Sequence, residues 1–477
     1  MNRDAPAIVS AGTVVSRAAL DARVAEATGR LRSLGVGEAT RVGLWAENSV
    51  EWIVVALAVA RAGGVLVPLN TRLADAEIEW QVARAALSLV VAGDAFAARD
   101  LGDCRVVSLA KWLALPAGDG TAAPGCDDED RDAAIVFTSG TTGRPKGAML
   151  TRGNQLASAR AAAVVLPLAP GDRWLASLPF FHVGGLGIVQ RCLLSGACVV
   201  LPASFSAEDL DHAIEEESVT HLSVVDATLR RILESRGVRP LPDRVRAVVV
   251  GGGPVSPALV EACPQALATY GLTESCAMAT LVRPGSPPAS RRTAGQALPG
   301  IGLRIAEDGV IELRGPTVMR GYLDDAAATA AAIRDGWLRT GDLGELDPDG
   351  SLRVLARRDD LIVSGGENVY PAEIEQALRE HPEVADAVVI GVPDERWGAV
   401  PLAVVELRRP GSPDLRAFLE LRLARYKLPR IAFADAIPRL ANGKPDRATV
   451  RAMNDEGDAN DEGDASLHAR RESSPSS

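Results

Sequence analysis

Phe137-Thr138-Ser139-Gly140-Thr141-Thr142-Gly143-Arg144-Pro145-Lys146-Gly147 follows the apolar run Ala133 to Phe137. Hydroxyl side chains, glycines and two cations so close together suit a loop that wraps oxyanions with backbone N–H groups. Glycine lets the backbone approach closely and the cations neutralise charge. A polyphosphate is the natural guest of such a loop. It is not a Walker loop, because that motif runs Gly-Lys-Ser/Thr and this one runs Lys146-Gly147-Ala148. A plain flexible turn is the alternative, but a linker has no need of Arg144-Pro145-Lys146.

The sequence before this loop alternates. Ser16 caps a helix whose apolar positions Leu20, Val24, Ala27, Leu31 and Leu34 recur at helical spacing until Gly35. Then come a strand over 41–45, a helix over 49–61, a strand over 65–69, a helix over 74–86 and a strand over 87–91. Alternation of this kind predicts an α/β fold, with mainly parallel sheets covered by helices and ligand sites at the strand ends. Further apolar strands are expected at 198–201 and 245–250. After about residue 300 short strands and turns, such as Val310 to Leu313 and Asp347-Pro348-Asp349-Gly350, predict a small β-barrel-like part. From about 360, a helix over 371–379, strands over 387–391 and 402–407 and a helix over 414–425 predict a small α+β lid. The expected organisation is a large N-terminal domain over 1–356, a hinge over 357–360, a lid over 361–452, and a disordered acidic tail over 453–477.

The 477 residues are 47% hydrophobic and 24% charged, the balance of a globular protein of more than one domain. No apolar run is long enough to span a bilayer, and Met1 to Pro6 holds no secretory h-region, so a cytoplasmic protein is expected. The six cysteines lack Cys-x-x-Cys spacing, which argues against a disulfide framework or a zinc site. A net charge of −11 disfavours a nucleic-acid partner and favours a small-molecule one. Only four lysines occur, Lys111, Lys146, Lys427 and Lys444, and two of them, Lys146 and Lys444, lie beside glycines in loop-like sequence.

Seven segments in order resemble the adenylate-forming enzymes, the family of acyl-CoA synthetases, nonribosomal adenylation domains and luciferases. They are the 138–147 loop, Phe181-His182-Val183-Gly184-Gly185, Thr269-Tyr270-Gly271-Leu272-Thr273-Glu274-Ser275, and Trp337-Leu338-Arg339-Thr340-Gly341-Asp342. Arg357-Arg358-Asp359-Asp360-Leu361-Ile362, Ser364-Gly365-Gly366-Glu367-Asn368-Val369-Tyr370-Pro371 and Pro438-Arg439-Leu440-Ala441-Asn442-Gly443-Lys444 complete the series. The resemblance implies that a carboxylic acid attacks ATP to give an acyl-adenylate, and that the thiol of coenzyme A then displaces AMP.

It also implies roles. Thr138, Ser139, Gly140, Thr141, Thr142, Gly143 and Lys146 would hold the phosphates. Tyr270, with Gly271, would offer adenine a flat face, and Thr273 would donate to the α-phosphate. Glu274 would hold Mg²⁺, a hard cation that favours oxygen ligands. Asp342 and Arg357 would bind the ribose. Lys444 would stabilise charge during adenylation, and His182 would gate the acyl carbonyl. Asp359 would be the hinge, and Gly365 and Gly366 would leave room for pantetheine. Each has an ordinary alternative: a surface Glu at a helix start, a core Tyr or His, a turn Asp beside Gly, a solvated turn Lys.

His182 stands where relatives selecting α-amino acids carry Asp, which disfavours an amino acid. The run Leu178 to Ile188 is most similar to the o-succinylbenzoate-CoA ligases of menaquinone biosynthesis, and its glycines would make room for an aryl ketone. Medium-chain fatty-acyl and other aryl-acid ligases share much of that run, and a catalytically inactive nucleotide-binding homologue is the alternative from another class. A homodimer stays open. Gln190 and Arg191 stand in an otherwise apolar stretch, and Arg191, nine residues past His182, could serve a second substrate carboxylate only if that helix lines the pocket; a solvent-facing Arg191 or a structural ion pair is the equal alternative. Asp226 departs from the family pattern, where Pro is common.

Overall fold

Ser16, Ser49, Ser108, Thr151, Ser206 and Ser256 each accept a backbone N–H at a helix start, so polar caps punctuate the alternation of strand and helix. The computed structural model describes residues 2–138, 145–166, 168–253, 255–287, 290–357, 360–364, 367–394, 397–423, 425–440 and 443–459. By contact the chain divides into two units. One comprises Met1–Ala306, Ile311–Thr340 and Leu346–Arg353; the other comprises Glu307–Val310, Gly341–Glu345 and the chain from Val354.

The first unit holds two large sheets. In one, the strand order is Arg105–Ser108, Leu89–Ala92, Arg41–Trp45, Val65–Pro68, Asp132–Thr138, Lys146–Thr151 and Gly321–Tyr322. Its first five strands are parallel and its last two antiparallel. In the other, Pro6–Ser10, Cys198–Leu201, Arg173–Leu175, His221–Val224, Ala247–Val250 and Ala266–Tyr270 are parallel neighbours, with antiparallel strands at both edges. Central strands such as Val65–Pro68, Leu89–Ala92 and Ala247–Val250 are buried at every residue, as expected where both faces are covered. Helix Val50–Arg61 is apolar almost all round, and Trp52, Ile53 and Val55 are fully buried. Trp52 meets the Phe180 ring at 5.0 Å, which joins this helix to the segment carrying His182. The short strands after residue 300 form a five-stranded sheet with the order Gly302–Ile305, Val310–Arg314, Trp337–Leu346 and Ile333–Arg334, with Leu352–Arg357 beside Trp337–Leu346.

The second unit is built on Val384–Asp394 and Gly398–Leu407, a long antiparallel pair joined by Ile362–Ser364, Glu367–Val369 and the parallel strand Arg430–Ala434. Helix Pro371–Arg379 buries Ile374 and Leu378 completely against this sheet. The helix expected over 414–425 is shorter, Leu415–Glu420, because Leu415 and Leu419 are its buried residues while Leu421 is 84% exposed. Helix Arg447–Ala459 runs past 453, where the tail was expected to begin, and it is anchored at its first turns by buried Val450 and by the ion pairs of Arg447 and Arg451 with Asp360. Residues 460–477 lie outside the described residues. All six cysteines are free, and all but Cys126 are buried; burial pushes the thiols of Cys104, Cys198 and Cys263 up to about 11. Among the described residues no helix is long and apolar enough to cross a membrane.

Candidate active site

The phosphate-loop segment begins and ends on a hairpin. Asp132–Thr138 and Lys146–Thr151 pair antiparallel with Thr138 opposite Lys146, and the Thr138 hydroxyl donates to the Lys146 carbonyl at 3.3 Å. Ser139, Gly140, Thr141, Thr142 and Gly143 lie outside the described residues.

The Tyr270 segment leaves the end of a parallel strand and doubles back at once. A Cβ on Gly271 would lie 1.6 Å from the Ala277 carbonyl oxygen, so the turn requires glycine. A short 3₁₀ turn over Thr273–Ser275 follows, closed by the Leu272 N–H donating to the Ser275 hydroxyl at 3.1 Å. Cys276 and Ala277 then take left-handed backbone with φ of 57° and 83°. The Met319 N–H donates to the Glu274 carbonyl at 2.8 Å, and the Tyr322 hydroxyl donates to Glu274 Oε1 at 2.7 Å. Lys146 Nζ lies 5.2 Å from the centre of the Tyr322 ring. The fold thus gathers Thr138, Lys146, Tyr322 and Glu274, while Gly271 and the half-buried Tyr270 and Thr273 share the Glu274 turn.

No group of three or more His, Cys, Asp or Glu that could cage a metal occurs among the described residues. The Glu274 carboxylate, near Lys146 through Tyr322, still fits Mg²⁺, which keeps one or two carboxylates and takes its other oxygens from phosphate and water.

His182 sits at the start of helix Val183–Ser195, with its ring edge-on to Phe181 at 4.7 Å. Asn48 holds the approach to it, donating to the Leu178 carbonyl at 2.9 Å and accepting from the Phe180 N–H at 2.8 Å. The glycines of this run do not all make room for a substrate. A Cβ on Gly185 would come within 2.1 Å of the Pro179 carbonyl oxygen, so Gly185 answers backbone crowding at the helix start.

Arg191 lies on the same helix and is only 4% exposed. Its guanidinium stacks over Trp174 at 4.5 Å and donates weakly to Met278 Sδ at 3.6 Å, while Nε has no hydrogen-bond partner. A Cβ on Gly187 would sit 3.0 Å from Arg191 Nη1, so this glycine is where the guanidinium finds space. Burial pushes the Arg191 pKa down to about 10, which still leaves it a cation at neutral pH. Neither the solvent face nor a structural ion pair accounts for it among the described residues. Asp226, at the departure from the family pattern, instead pairs with Arg230 at 2.6 Å and accepts from the Ser256 N–H at 3.2 Å, tying two helix starts together.

In the second unit Asp342 follows Gly341, whose φ of 77° favours glycine, and is half-buried. The Arg357 side chain, Asp359, Gly365 and Gly366 lie outside the described residues. Lys444 is exposed on a tight turn held by the Leu440 N–H donating to the Lys444 carbonyl and the Gly443 N–H donating to the Leu440 carbonyl, both 2.8 Å. Arg439 braces that turn, donating to the Gly443 carbonyl at 3.2 Å and pairing with Asp386. Two residues of the site escaped the motif reading. Tyr322 lies in none of the seven segments, and its only signal is that the chain has four tyrosines; Trp174, the partner of Arg191, gave no signal.

Residues 1–323 match the model of the AMP-binding enzyme family and residues 373–444 that of its C-terminal domain. The chain is 41% identical to a 2-succinylbenzoate--CoA ligase of Geobacillus kaustophilus over 441 residues, covering 89% of this chain and 90% of the relative. It is similar in structure to the o-succinylbenzoate CoA synthetase of Bacillus subtilis in complex with the acyl-adenylate intermediate OSB-AMP, with a TM-score of 0.89, 32% identity, and coverage of 94% of this chain and 96% of that one. The ATP-bound MatB of Rhodopseudomonas palustris is also similar, with a TM-score of 0.87, 29% identity, and coverage of 95% and 96%. With the phosphate-loop hairpin, the Glu274 turn and the C-terminal lysine turn all present on a chain matched over both its parts, the protein belongs to the AMP-binding enzyme family.

Proposed function

We propose that the protein is an AMP-forming acid–thiol ligase that joins o-succinylbenzoate to coenzyme A, as the names of its relatives state for them. The observation that carries the substrate is Arg191. A buried cation with no carboxylate paired to it among the described residues is costly, and o-succinylbenzoate has one carboxylate to activate and a second to offer. Arg191 lies nine residues past His182, which stands at the start of the same helix, a rise of roughly 13 Å. A fatty acid would leave the guanidinium opposite a methyl group.

In the first half-reaction a substrate carboxylate oxygen bonds to the α-phosphorus of ATP and the bond to pyrophosphate breaks. In the second, the sulfur of coenzyme A bonds to the acyl carbon, the bond to AMP breaks, and the thiol proton passes to solvent. Lys146 neutralises phosphate charge, Thr273 donates to the α-phosphate, and Tyr270 lies along adenine. Mg²⁺, when bound with ATP, offsets phosphate charge, and Glu274 is the residue that would hold it. Asp342 and Arg357 take the ribose hydroxyls. Lys444 acts in adenylation alone, and His182 gates the acyl carbonyl. Rotation at Asp359 brings Gly365 and Gly366 to the pantetheine arm. Dependence on ATP and coenzyme A supports a cytoplasmic location.

The test is pyrophosphate release with o-succinylbenzoate, octanoate and benzoate at equal concentration. Release with o-succinylbenzoate should stand well above the other two. Preference for octanoate would overturn the substrate and leave the adenylating chemistry intact.

A further inference from the structure

Lys146 and Glu274 carry opposite charges into one small site, and left alone they would attract each other. A closed Lys–Glu pair would occupy the ammonium meant for phosphate and the carboxylate meant for a cation. Tyr322 stands between them, with its hydroxyl on Glu274 Oε1 at 2.7 Å and its ring facing Lys146 Nζ at 5.2 Å. We propose that Tyr322 is a positioning residue of the nucleotide site, holding Glu274 by its phenol and Lys146 by its ring so that each stays aimed at the metal–nucleotide complex.

The backbone around Tyr322 is fixed on three sides. Gly321 and Tyr322 pair with Met149 and Ala148, which extends the strand that begins at Lys146. The Tyr322 N–H donates to the Thr329 hydroxyl and the Leu323 N–H to the Gly147 carbonyl, both at 2.8 Å. Gly321 has a φ of 157°, and a Cβ there would lie 2.7 Å from Thr329 Cγ2, so the tyrosine approaches through a glycine. Met319 in turn holds the Glu274 carbonyl at 2.8 Å. The segment from Met319 to Leu323 therefore ties the lysine strand to the carboxylate turn, and Tyr322 is the side chain that joins their charged ends. A phenol donating to Oε1 anchors the carboxylate through one oxygen and leaves Oε2 as the one for a hard cation. A cation held over a ring face keeps its N–H groups for an anion.

This inference rests on the nucleotide reading above, and calorimetric titration separates the two. ATP is titrated into the full chain with Mg²⁺ and again with chelator, and the ratio of the two affinities is the Mg²⁺ increment. The parent should bind Mg·ATP more tightly than metal-free ATP; if it binds neither, the nucleotide reading falls and this inference with it. Tyr322→Phe removes one oxygen and keeps the ring. It should lower the Mg²⁺ increment about tenfold and leave metal-free ATP binding near the parent value. Tyr322→Leu should weaken metal-free binding as well, because the ring over Lys146 is lost. Thr329→Val, which removes the acceptor of the Tyr322 N–H at a distance from the nucleotide, should shift the increment in the same direction by a smaller factor. In a Glu274→Gln background, Tyr322→Phe should change the increment no further. An increment unaltered in Tyr322→Phe, or losses from Tyr322→Phe and Glu274→Gln that simply add, would show that Tyr322 does not act through Glu274.

Discussion

Arg191 carries its charge into a site that is 4% exposed, with an indole face and a thioether as neighbours. Neither replaces the hydration of a guanidinium, so the residue makes sense beside a substrate anion. Arg191→Met keeps much of the volume and removes the charge. It should lower kcat/KM for o-succinylbenzoate roughly a hundredfold, the usual scale for a buried charged hydrogen bond, with no comparable loss for benzoate. Its melting temperature should hold or rise, because a buried unpaired charge is replaced by an apolar side chain. Equal loss on both acids would place Arg191 in folding instead of recognition. From sequence Arg191 was a candidate partner for a second carboxylate set against an equal alternative on the solvent face; its burial beside Trp174 and Met278, which come from other elements, was not legible.

Gly271 sets the scale of the element. The strand ending at Tyr270 must turn into Thr273–Ser275 and return as Thr280–Leu281 within ten residues, and the Ala277 carbonyl fills the space where a Cβ would stand. Gly271→Ala should therefore displace the Glu274 turn, reduce ATP affinity at least tenfold, and lower the melting temperature by several degrees. ATP titration and thermal melts would show it, and a variant that matched the parent in both would mean that the turn relaxes freely. The motif Tyr270-Gly271-Leu272-Thr273-Glu274 was legible as a string. Its connection through Met319 and Tyr322 to the lysine strand was not, because those contacts join segments that the chain keeps far apart.

At the scale of the whole molecule, Lys444 lies in the second unit on a turn braced by Arg439 and Asp386, while the lysine strand and the Glu274 turn lie in the first. Two half-reactions with different needs suit a lysine that serves one of them. Lys444→Ala should abolish pyrophosphate release, spare most ATP binding, and spare most thioester formation from supplied acyl-adenylate. Equal loss in both half-reactions, measured separately, would remove this division of labour.

Local order alone determined much of this protein. Periodicity and caps specify the alternating strands and helices, because amphipathic spacing and a Ser or Thr at a helix start act within a few residues. The motif order points to the family's chemistry, because loops that wrap oxyanions and carboxylates that accept from sugar hydroxyls need particular residue types at fixed spacing. Three things were decided only by the tertiary structure. Gly185 crowds Pro179 instead of opening a pocket, Arg191 is buried without an ion-pair partner among the described residues, and Tyr322 stands between Lys146 and Glu274. Each depends on atoms brought together by packing, and the charge balance of a buried site is set by which distant segments meet there.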